Sequence, residues 1–187
     1  RCSRDWSSDV CSSDLDLDAY CENFRAQQLA AGIKFGVTRI GVHTGEATVG
    51  NFGSHTRMDF TALGDTVNTA ARTEGVNKYF GTRICCTQSV IDECPDDMAF
   101  QPIGDVVLKG KQQPTTLYTP IPEHRRDDAF ARDYRNAYEQ FSGNDEASIS
   151  EAFLRLVERY PDEPLAQFHA GRVRDGVLTS RIVMEDK

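Results

Sequence analysis

The sequence predicts an α+β domain followed by an α-helical tail. Three observations carry that expectation. Between residues 37 and 119, short runs rich in β-branched residues alternate with helical stripes and glycine-bearing turns. After the prolines at 120 and 122 the apolar pattern becomes purely helical. Of 187 residues, 39% are apolar and a further 14 are glycine, an ordinary globular composition that can supply a core.

Charge and length exclude several functions. Twenty-nine acidic against 21 basic side chains give a net charge of -8, which argues against a broad nucleic-acid or anionic-membrane footprint but leaves room for a local basic pocket. No run approaches the roughly 20 apolar residues that a membrane helix needs, and the first residues hold no hydrophobic signal segment. The six cysteines contain no C-x-x-C and no His at finger spacing, so they read as small core residues in a reducing, cytoplasmic setting.

The elements follow in order. Residues 1–15 (RCSRDWSSDVCSSDL) have no periodicity and repeat a Ser-Ser-Asp unit. From Asp5 on they resemble the translation of a common sequencing adapter. They are expected to be disordered and foreign to the fold, with the natural chain continuing upstream of Asp16. Residues 16–31 read as a helix through Leu17, Tyr20, Phe24 and Leu29, stopped by Gly32. Residues 37–42 read as a strand, 43–45 as a turn, and 46–51 as a second strand pairing with the first in a hairpin. Residues 52–57 read as a loop and 59–63 as a short strand. A helix follows, with Asp65 able to cap it, an apolar stripe of Val67, Ala70 and Ala71, and Gly75 near its end. Residues 83–87 read as a strand and 88–94 as a short helix. Residues 106–108 and 116–119 read as a last antiparallel pair around Lys109-Gly110-Lys111.

The domain therefore spans 16–122 and the tail 123–187. In the tail, Phe130, Tyr134, Ala137, Tyr138 and Phe141 mark one helix, and Ile149, Phe153, Leu156 and Tyr160 mark a second. A third runs from 164 to 174. The step from Ala129 to Leu165 is close to the roughly 34-residue period of tetratricopeptide helix pairs, so the tail is expected to be TPR-like. An unrelated helical hairpin fits the pattern as well.

Chemistry concentrates between residues 39 and 78. Asn68 and Arg72 stand at i and i+4, on one face of the helix after Asp65. A short amide and a guanidinium beside a glycine-rich loop can hold a sugar oxygen and a phosphate, and the lysines at 109 and 111 can approach the same anion. On spacing alone, a solvated helix face reads the same way.

Five ordered motifs add a resemblance. They are RIGVHTG at 39–45, VGNFG at 49–53, GDTVNTAAR at 64–72, FGTRI at 80–84 and VLKGK at 107–111. Together they resemble the C-terminal half of the class III adenylate/guanylate cyclase catalytic domain. That resemblance implies a ferredoxin-like fold, N-terminally truncated here. It implies a phosphorus–oxygen lyase that converts ATP, with GTP also open, to the 3′,5′-cyclic monophosphate and pyrophosphate. It also implies Mg²⁺ or Mn²⁺ in a two-metal mechanism at a homodimer interface.

By resemblance, Asn68 orients the ribose and Arg72 stabilises the α-phosphate. Lys109 contacts the triphosphate, with Lys111 as the alternative, and Thr61 stands where the base is read. The metal-binding aspartates of the family lie upstream of residue 37 and have no counterpart here, so the chain alone is expected to be inactive. The end of the tail is similar to those of bacterial membrane-receptor cyclases, which suggests a receptor parent. Two other readings stand beside the enzyme: a non-catalytic pseudo-cyclase that dimerises, and an interaction protein working through the helical tail.

Overall fold

The computed structural model describes residues 6–54, 56–143 and 145–184, with side chains from residue 13 onward. Helix α1 (Trp6–Ala30) is longer than the sequence predicts. It takes in residues 6–15, which were expected to be disordered, because no Gly or Pro interrupts 6–30. Residues 1–5 of the adapter-like stretch lie outside the described residues. The clearest anchor of α1 is Asp18, which receives Arg83 in a bidentate pair at 2.7 and 2.8 Å.

The central sheet holds five strands in the order β1-β4-β6-β5-β7. They are β1 (Ile40–Val42), β4 (Ile84–Thr87), β5 (Phe100–Val107), β6 (Thr115–Pro120) and β7 (Arg181–Val183). β1 runs parallel to β4, and β7 runs parallel to β5. The expected antiparallel pair around 109–111 is present as β5 and β6.

The expected hairpin between β1 and the next strand is absent. β2 (Thr48–Ser54) instead pairs with β3 (Arg57–Leu63) in a separate two-stranded ribbon. Residues 52–57, read as a loop from their glycine and polar content, close that ribbon. Gly53 (φ +148°) permits the tight closure, since a side chain there would run into the Arg57 carbonyl. β1 is then free to pair in parallel with β4, through a crossover that contains the ribbon and α2.

Helix α2 (Asp65–Phe80) lies directly over β1. A Cβ on Gly41 would stand 2.1 Å from the Glu74 nitrogen, so glycine is what lets helix and strand touch. The buried Asn77 amide fastens the far end of α2, donating to the Ile40 carbonyl at 2.9 Å and accepting from the Thr82 hydroxyl at 2.8 Å. Gly75, expected near the end, is interior. The helix stops at Gly81, whose φ of +70° gives the left-handed cap.

α3 (Gln88–Ile91) is shorter than predicted. The tail supplies α4 (Ala129–Glu139), α5 (Glu146–Arg159) and α6 (Pro164–Arg174). One hydrophobic core unites tail and sheet: Phe130, Tyr134, Phe153 and Leu165 are buried with Val76, Phe80, Ile103, Val106 and Leu117. Strand β7 is too short to register as a periodic signal in the sequence.

Candidate functional site

The first two turns of α2 face the loop that joins β5 to β6. Asp65 opens the helix, but its carboxylate does not cap it; Gly64 holds the cap position without a side-chain bond. Instead Asp65 is ion-paired with the Lys111 ammonium, and that contact holds its carboxyl below the usual range. Two turns further on, the half-buried Arg72 lays its guanidinium against Gly110. A Cβ there would stand 3.4 Å from Arg72 Nη2. The positive φ of Gly110 (+71°) forms the turn, and its missing side chain leaves Arg72 room.

Asp65, Arg72 and Lys111 therefore form one charged cluster, with the exposed Asn68 between Asp65 and Arg72 on the same helix face. Lys109 is exposed at the start of the turn. Of the residues singled out from the sequence, Arg72 and the 109–111 turn are brought together. Thr61 stands apart, on β3 opposite Gly50 of the ribbon and exposed to solvent.

Sequence reasoning missed His43. It directly follows β1, with Nδ1 2.8 Å from the Thr87 hydroxyl and 3.3 Å from that of Ser89. Ser89 also donates to the Thr44 carbonyl at 3.2 Å. Burial lowers the pKa of His43, the Lys111 charge adds to that effect, and Asp65 opposes it. His43 thus flanks the cluster, tied to two hydroxyls. Its place in the 39–45 motif was the available signal. The buried thiol of Cys85 is pushed up to about 12, so it is inert at neutral pH. Among the described residues, no three His, Cys, Asp or Glu side chains converge as a metal site.

Comparison with known proteins gives the family and the fold. The model of the adenylate and guanylate cyclase catalytic domain matches residues 1–119. The chain belongs to that family. It is 39% identical over 112 residues to adenylate cyclase 1 of Rhizobium meliloti, a match that covers 60% of this chain and 17% of that protein. It is 33% identical over 105 residues to an adenylate cyclase of Anabaena cylindrica, covering 54% and 21%. The chain therefore spans only about a fifth or less of the length of these curated relatives.

Among solved structures, the adenylyl cyclase CyaB from P. aeruginosa superimposes with a TM-score of 0.56 at 30% identity, over 65% of this chain and 61% of that one. The guanylyl cyclase Cya2 shares the fold at a TM-score of 0.50 and 20% identity, over 65% and 61%. The α+β architecture is that of the family, and the helical region after residue 119 lies beyond the matched family span. No helix among the described residues is long and apolar enough to cross a membrane.

Proposed function

We propose that the chain supplies the ribose- and phosphate-contacting half of a nucleotide cyclase site, acting on ATP. The observation that carries this reading is the packing of Arg72 against the 109–111 turn. It gathers guanidinium and ammonium groups beside a carboxamide one helical turn away. Membership of the cyclase family supports it.

In the proposed reaction the ribose 3′-oxygen attacks the α-phosphorus. A new P–O bond closes the ring, the bond to the bridging oxygen breaks, pyrophosphate leaves, and the 3′-proton passes to water. Negative charge grows on the α-phosphate oxygens and on the departing bridge. Arg72 is suited to that charge because its guanidinium presents planar, forked donors and lies against Gly110 of the turn. Asn68 can hydrogen-bond the ribose and hold the attacking oxygen in line. By resemblance Lys109 neutralises the triphosphate, with Lys111, the partner of Asp65, as the alternative. Thr61 is assigned to the base by resemblance alone, since it stands on the ribbon apart from the cluster; a hydroxyl both donates and accepts, so it does not separate guanine from adenine.

Mg²⁺ or Mn²⁺ is implied by the resemblance; among the described residues no three His, Cys, Asp or Glu side chains converge to hold it. The metal carboxylates would have to come from a partner that carries them.

Calorimetric titration of the chain with ATP tests the binding half of this proposal. Measurable affinity that falls at least about tenfold in Arg72→Ala is expected, equivalent to about 1.4 kcal/mol. Equal affinity in the two proteins would remove Arg72 from the site.

A further inference from the structure

The segment after residue 122 grips both elements that carry the candidate site. Behind α2, the Phe168 ring of α6 meets Phe80 edge-on, with centroids 5.0 Å apart at 79°. Pro164, the first residue of α6, fills the space where a Gly81 side chain would stand, 2.5 Å from that Cβ position. On the sheet, β7 pairs with β5 from Asp105–Arg181 to Val107–Val183, and the Met184 nitrogen donates to the Val107 carbonyl at 3.2 Å. The Asp105 carboxylate accepts the Thr116 hydroxyl of β6 and the Ser180 hydroxyl ahead of β7, each at 2.7 Å. Gly104 leaves open the space that Ser180 and Ile182 enter. The two grips are joined, since Arg172 of α6 donates to the Arg181 carbonyl at 2.6 Å.

β5 runs straight into the turn: Val107 is two residues before Lys109. Through this segment α6 fixes the helix that bears Asn68 and Arg72, and β7 fixes the strand that leads to Lys109 and Lys111. Closely packed interiors transmit small displacements instead of absorbing them.

We infer that α6 and β7 form a clamp that sets Arg72 against the 109–111 turn, making Phe168 and Ser180 positioning residues of the nucleotide site. The inference rests on the nucleotide reading above for its functional consequence, but the clamp itself can be read without nucleotide.

Native-state hydrogen exchange, paired with ATP titration, tests it on the whole chain. In Phe168→Ala, amides in the second half of α2 and around 108–111 should exchange about tenfold or more faster, while the interiors of α4 and α5 stay within about twofold. ATP affinity should fall about fivefold or more, and Phe168→Leu should restore most of both effects. Ser180→Ala reports the other arm, with faster exchange at the turn and little change in α2. It decides the matter if Phe168→Ala does not fold.

Uniformly faster exchange across α2, α4 and α5 would mean a merely structural ring and would overturn the clamp. So would unchanged exchange at both α2 and the turn. Failure of the nucleotide reading looks different: ATP binding would be absent or insensitive to Arg72→Ala, while the exchange pattern would still decide the clamp.

Discussion

The two halves of this molecule treat their apolar residues in opposite ways. Around α4, α5, α6 and the inner face of α2, aromatic rings interlock: Phe153, Tyr134 and His169 are completely buried, and five rings surround the imidazole. On the ribbon, register puts Val49, Met58 and Phe60 on one face, and they are 60%, 64% and 74% exposed. An isolated two-stranded hairpin is marginal in water, so the ribbon draws little stability from itself. The comparison teaches that stability comes from the half enriched by the tail. The VGNFG motif on β2, and Thr61 on β3, are carried by the half that adds least to it.

This contrast can be broken experimentally. Phe153→Ala opens a void in the closed core and should cost about 3–5 kcal/mol in a urea melt. A smaller loss would mean that the core is looser than its burial indicates. Gly41→Ala places a methyl group against the α2 backbone and should cost about 1–3 kcal/mol while shifting α2 from β1; an unchanged melt would contradict the close approach.

Acid titration sharpens the same point. Burial pushes the pKa of His169 down to about 3, whereas the unfolded chain keeps its ordinary value of 6.5. Between those values the unfolded state binds a proton that the native state refuses. Stability is therefore fully present above pH 6.5 and falls by about 1.4 kcal/mol for each unit of acidification down to pH 3. His169→Phe should flatten that part of the stability–pH curve; an unaltered slope would assign it to other groups. Phe60→Ser, on the exposed ribbon, should leave stability within about 0.5 kcal/mol, and a loss of core size would erase the contrast between the halves.

Much of this was legible in the sequence. The strands at 84–87 and around 109–111, the helix from Asp65 and the three tail helices all follow from periodicity and punctuation. The ribbon was misread because Gly53 and the polar residues around it look like a loop. Strands close in sequence also suggest a hairpin, whereas β1 finds its partner 44 residues away. Gly75 gave a false stop, since an interior glycine lowers helix propensity without ending the helix. β7 was invisible at three residues, being specified by its fit against Gly104 and Asp105 and not by its own pattern.

At the site, the i, i+4 pair of Asn68 and Arg72 was readable, but the diversion of Asp65 from cap to ion pair was not. That change depends on Lys111 arriving from a turn 46 residues away.

The measurement that bears most directly on the central claim is cyclic nucleotide formation by the natural protein that carries this chain, given ATP with Mg²⁺ or Mn²⁺, alongside its Arg72→Ala variant. The account predicts cyclic AMP and pyrophosphate in equal amounts, with turnover reduced by about a hundredfold or more in the variant, as expected when a donor to developing charge is lost. Turnover unchanged by Arg72→Ala would contradict it, and so would ATP binding without any cyclic product.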